Sequence, residues 1–137
     1  METMIFRLLV SVALLAGATL LSAQTTGSRV FEMRTYTTNE GKLEALKKRF
    51  REHTTKLFEK HGMTNIGYWV PQDPARHENT LIYILAYPSM EARQKSWASF
   101  SSDPEWKRVA SESEKDGKIV SKVESVFMDP TDFSGLK

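Results

Sequence analysis

The chain has 137 residues, no cysteine and a formal net charge of +2. The lack of cysteine removes thiolate nucleophiles, disulfides, Cys-ligated zinc and iron–sulfur clusters from the possible chemistry. So small a charge gives no argument for nucleic acid or an anionic membrane as partner.

Met1 to Arg7 is a short polar start, and Leu8 to Leu21 is then almost wholly apolar. A run of about 14 apolar residues is too short for a helix across a bilayer core of roughly 30 Å. It ends at Ser22-Ala23-Gln24, where Ala23 supplies the small residue that a signal peptidase requires, although Leu21 matches less well. The expected organisation is an export signal peptide over 1–23, a polar linker over 24–29 and one domain over 30–137. The location is then periplasmic or extracellular, with no stable membrane span after leader removal; the alternative is an uncleaved anchor. Roughly 110 residues remain, enough for one hydrophobic core and not two.

Val30 to Thr37 alternates, with Phe31, Met33 and Thr35 on one face and Glu32, Arg34 and Tyr36 on the other, which predicts a strand. Asn39 is a candidate cap for a helix over 40–60, whose stripe is Leu43, Leu46, Phe50, His53, Leu57 and His61. Glu44 with Lys48 and Glu52 with Lys56 have the spacing of helix-surface ion pairs. Gly62 supplies the left-handed stop. Thr64–Val70 and Thr80–Tyr87 read as strands, the latter apolar on both faces and therefore central. Ser89 can cap a helix on which Met90, Trp97 and Phe100 share a face. Asp103-Pro104 restarts the helix, with Trp106, Val109 and Ala110 on its apolar side. Gly117 closes it, and Ile119–Met128 is a fourth strand.

The order β-α-β-β-α-β predicts an α+β, ferredoxin-like fold: an antiparallel four-stranded sheet with both helices on one face. The other face is expected to carry Glu32, Arg34 and Tyr36, together with one of the two apolar sets of the third strand. A soluble monomer rarely leaves such a patch open. Face-to-face packing of two sheets covers it with two-fold symmetry, so the expectation is a dimeric α+β barrel, a homodimer.

Phe31-Glu32-Met33-Arg34-Thr35-Tyr36-Thr37 followed by Gly41-Lys42-Leu43 resembles the opening of the NIPSNAP family. Ile66-Gly67-Tyr68-Trp69 resembles it too, as does Tyr87-Pro88-Ser89-Met90-Glu91-Ala92-Arg93 leading to Trp97 and Phe100. Asp103-Pro104-Glu105-Trp106 and Pro130-Thr131-Asp132-Phe133-Ser134 complete the pattern. The resemblance implies a dimeric α+β barrel and supplies no reaction. The mitochondrial and vesicle-traffic roles suggested for animal relatives do not transfer to a chain with an export leader.

Candidate pocket residues are Arg34, Tyr36, His53, Tyr68, Trp69, Tyr83 and Trp97. Arg34 offers a planar fork for a carboxylate or phosphate, and Tyr36 a hydroxyl on the same strand face. Glu32 can instead claim the arginine in a structural ion pair. His53 on an apolar stripe fits a general base, a haem ligand or a hydrogen-bonded core residue. His61 lies too far along the stripe to share a metal with it and suits a helix end. His77 falls in a polar loop. Tyr68 and Trp69, being neighbours, face opposite sides. An aromatic-lined cleft between sheet and helices suits a flat apolar ligand. No Gly-rich phosphate loop, His-Glu-x-x-His or Gly-x-Ser-x-Gly is present. Two readings remain. One is an exported binding or interaction module for a small apolar ligand or a protein, with no cofactor. The alternative is a small cofactor-independent or haem-using α+β-barrel enzyme of monooxygenase or isomerase type.

Overall fold

The computed structural model describes residues 27–137; the expected signal peptide and the first half of the expected linker lie outside the described residues. The strands are β1 (Val30–Thr38), β2 (Thr64–Trp69), β3 (Thr80–Tyr87) and β4 (Val120–Met128). The helices are α1 (Leu43–Arg49) and α2 (Thr55–Lys60), joined through a π-helical turn Phe50–Thr54, then α3 (Met90–Ser102) and α4 (Pro104–Ser113). The sheet order is β2-β3-β1-β4, with every pairing antiparallel. This is the ferredoxin-like α+β arrangement expected from the element order. Among the described residues no helix is long and apolar enough to cross a membrane.

The local rules held at most boundaries. Ser89 caps α3 by accepting from the Ala92 amide at 3.0 Å. Asp103 caps α4 by accepting from the Glu105 amide at 2.8 Å, with Pro104 in the first turn. Gly62 and Gly117 take positive φ at the two stops. The start of α1 differs: Asn39 does not cap it but bonds the Lys118 carbonyl, and the helix begins at Leu43 after a turn at Gly41. The surface pairing also differs, since Glu44 meets Lys47 rather than Lys48.

The first helical region is not one regular helix. Within it, the hydroxyls of Thr54 and Thr55 donate to the carbonyls of Arg49 and Phe50, five residues back, each at 3.2 Å. These bonds fill the widened turn. One extra residue per turn shifts the helical phase, so Thr54 and Phe58 are buried and His53 is only half-buried. The expected stripe through His53 is therefore corrected: it runs Leu43, Leu46, Phe50, then Leu57 and Phe58.

The core lies between the helices and the sheet. Leu81, Tyr83, Leu85 and Tyr87 of β3 are buried against Leu46, Phe50, Phe58 and Phe100. Register places Glu32 beside Leu85, Arg34 beside Tyr83 and Tyr36 beside Leu81. Glu32, Arg34 and Tyr36 thus face the helices. The expectation that they lie on the open face is wrong, because the alternation fixes that two sets exist but not which set meets the helices. The open face carries Met33 and Thr35 from β1, Ile82 and Ile84 from β3, Trp69 from β2 and Val126 from β4. Trp69 and Val126 are each 50% exposed. The tail returns over one end of this face, where Pro130 and Leu136 line a cleft with Phe31, Ile66, Ile84 and Met128.

Candidate functional site

Glu32 has a fully buried side chain. Its Oε1 accepts from Arg34 Nη1 at 2.6 Å, Arg93 Nη2 at 2.9 Å and Ser125 Oγ at 3.0 Å. Its Oε2 accepts from the Tyr87 hydroxyl at 2.7 Å and Arg93 Nε at 3.1 Å. Burial alone would raise the Glu32 pKa, but the bonds from Arg93, Tyr87 and Arg34 outweigh it and hold the carboxyl at about 2. Arg34 is saturated in turn: its Nε donates to Tyr83 at 2.9 Å and its Nη2 to Tyr36 at 3.3 Å. The guanidinium lies 4.4 Å from the Trp97 ring centroid. Trp97 Nε1 donates to the Tyr87 hydroxyl at 2.8 Å. Burial pushes the Tyr83 and Tyr87 hydroxyls upward, so both stay protonated; Tyr87 donates to Glu32 and Tyr83 accepts from Arg34.

Arg34, Tyr36, Tyr83 and Trp97 therefore do come together, but in a closed network centred on Glu32. Every charge has its partner, which is the condition for burying charge at tolerable cost. Sequence reasoning missed Arg93 and Tyr87 as members. Both sit in the stretch from Tyr87 to Arg93, and the signal was a second arginine one helical turn past the Ser89 cap.

Two other clefts flank the first helical region. The first, about 280 Å3, is walled by Phe50 and Thr55 on the helix side and by Tyr68, Trp69, Val70 and Leu81 on the strand side, with Lys47 and Arg51 beside it. Tyr68 stacks on Tyr83 at 5.3 Å and meets the Phe50 ring edge at 5.5 Å. Burial raises the Tyr68 pKa, and its hydroxyl donates to Asn65. Tyr68 faces the helices and Trp69 the open side, as neighbours on a strand must. The Trp69 ring lies across Gly67, where an added Cβ would come within 2.5 Å of it.

The second cleft, about 270 Å3, lies between α1, the π-turn and α4 and contains His53. His53 thus has no place in the Arg34–Tyr36 network, and the grouping of these three in one pocket is corrected. The phase shift of the π-turn carries the imidazole to α4 instead. His61 ends α2. Its Nε2 meets Asp103 Oδ2 at 2.7 Å and its Nδ1 meets Ser99 Oγ at 2.6 Å. Bonds from Lys60 and His61 hold Asp103 well below the usual carboxylate range, so it only accepts. Nε2–H therefore donates to Asp103, and Nδ1 is bonded to the Ser99 hydroxyl. This chain ties α2 to α3 and α4. His77 is exposed and meets the Pro71 carbonyl. Among the described residues no group of three or more His, Cys, Asp or Glu side chains could hold a metal ion.

A family model described as NIPSNAP matches residues 31–135. The chain belongs to the NIPSNAP family. A NIPSNAP family protein of unknown function from Agrobacterium tumefaciens is similar in structure, with a TM-score of 0.69, 24% identity, 80% of this chain and 95% of that chain covered. An uncharacterised NIPSNAP-like domain protein from Burkholderia xenovorans has a TM-score of 0.67 at 17% identity, over 78% of this chain and 89% of that one. More distant is SnoaB, a cofactor-independent oxygenase from Streptomyces nogalater, with a TM-score of 0.53 at 11% identity, over 80% of this chain and 99% of that one. Likeness at this identity shows a shared fold and no shared reaction. No curated protein matches the chain.

Proposed function

We propose that this NIPSNAP domain is an exported homodimeric binding module that takes a flat apolar ligand, with no cofactor, in the cleft between its first helical region and the β2–β3 edge. The observation that carries the reading is the wall of that cleft. Phe50 and Tyr68 offer aromatic surface, Val70 and Leu81 add aliphatic surface, and Lys47 and Arg51 stand beside it to meet an acidic group on the ligand. The tyrosine in the wall is held protonated and its hydroxyl is spent on Asn65, which suits packing better than proton transfer. The enzymatic alternative needed Arg34, Tyr36 and His53 in one pocket, and the fold separates His53 from the other two.

The open sheet face supports pairing. Trp69 and Val126 are half exposed there, with Met33, Ile82 and Ile84 between them, an apolar surface of the kind that a two-fold partner covers. Export rests on the apolar leader and Ala23.

Titration with 2-naphthoate, followed by tryptophan fluorescence, tests the ligand site. Saturable quenching is expected, weakened by Arg51→Glu and abolished by Val70→Trp, which fills the cleft. Quenching that is linear in ligand, or unchanged in Val70→Trp, would remove the reading. Sedimentation of the purified protein at micromolar concentration should give twice the chain mass; the monomer mass would sink the dimer.

A further inference from the structure

The cleft beneath α4 contains a buried cation that the protein leaves incompletely bonded. The Arg49 side chain is only 6% exposed, with its guanidinium 5.4 Å from the Trp106 ring centroid. Its partners among the described residues both sit on Nη1: Ser113 Oγ at 3.2 Å and Glu114 Oε1 at 3.4 Å. Both distances are at or beyond the long end for such bonds. Glu114 is 37% exposed, so water weakens its countercharge. Arg49 Nε is buried and has no partner among the described residues. Buried guanidinium groups normally have their fork filled.

The neighbouring charges point the same way. Glu112 lies 2.9 Å from Arg108, which offsets its charge, and Glu52 is half exposed, so water screens its charge. Lys48, exposed at the same cleft, makes no ion pair among the described residues. The π-turn adds His53, which a regular helix would have kept on the core stripe. Such turns are frequent at functional sites because the widened backbone re-aims side chains. Ala45 and Val109 supply apolar wall.

We propose that this cleft binds a small organic monocarboxylate, its carboxylate on Arg49 and Lys48 and its apolar body against Ala45 and Val109. A guanidinium and an ammonium group together suit a carboxylate, and the apolar wall favours an organic acid over a bare inorganic anion. The site is separate from the Phe50–Tyr68 cleft, so either can fail without the other.

The test is an NMR titration of the purified protein with benzoate, with benzamide as the uncharged control, read at the backbone amides of Ala45, His53, Val109 and Ser113. Benzoate should give saturable shifts at millimolar concentration and benzamide none. Lys48→Glu, an exposed change that cannot disturb the core, should weaken binding about fivefold or more, as expected for reversing one nearby charge. Arg49→Met should abolish it while the thermal transition persists. If Arg49→Met does not fold, Lys48→Glu alone decides. Absent shifts, an equal response to benzamide, or unchanged affinity in Lys48→Glu would overturn the proposal.

Discussion

Arg34 and Arg49 are both withdrawn from water, with side chains 12% and 6% exposed, yet the fold treats them differently. Arg34 lies on the central sheet, and each of its three nitrogens donates to a named oxygen within 3.3 Å. Arg49 lies on a helix that changes pitch one residue later, and among the described residues only one of its nitrogens is engaged. A buried charge with a full set of partners belongs to the architecture. One with an incomplete set, beside an open cleft, is free to accept a ligand. Burial alone therefore does not separate a structural arginine from a binding one; hydrogen-bond saturation does.

The largest effect should come from breaking the saturated side. Glu32→Ala leaves Arg34 and Arg93 facing each other without their shared carboxylate, and should cost about 3–5 kcal/mol in chemical denaturation, the usual result of removing one partner of a buried pair. Acid gives a somewhat smaller test of the same network. A carboxyl held at about 2 against an ordinary 4.5 contributes fully above pH 4.5, and that contribution is lost as pH falls through 2. The lost stability is on the order of 3 kcal/mol. Glu32→Gln should flatten this acid limb, and a limb unchanged in the variant would move its origin elsewhere. The smallest effect belongs to Arg49→Met, which swaps a poorly partnered cation for an apolar chain of similar length. It should change stability by about 1 kcal/mol or less, in either direction.

The strand order, both helix caps on the second half and the left-handed stops could be read from the sequence, because each rests on a short-range rule: period two, Asp-Pro, Ser at an N-cap, Gly after a helix. The face assignment of β1 could not. Glu32 and Arg34 look like solvent residues, and only the arrival of Arg93 and Tyr87 from a distant segment makes their burial affordable. The π-turn was hidden for a related reason. Leu43, Leu46, Phe50, His53 and Leu57 fit a regular helix well, and nothing in that spacing announces an inserted residue. Thr54-Thr55, whose hydroxyls reach carbonyls five residues back, was the one local hint. The regular spacing therefore puts His53 in the wrong cleft, and it leaves Arg49, three residues after Leu46 at the edge of the buried stripe, unmarked.

Arginine Nε–H resonances report on both regions in a single NMR experiment. On addition of benzoate the Arg49 Nε–H signal should move and saturate, while that of Arg34, already committed to Tyr83, stays where it was. Movement of the Arg34 signal, or a still Arg49 signal at saturating benzoate, would contradict the division of these two arginines between architecture and ligand.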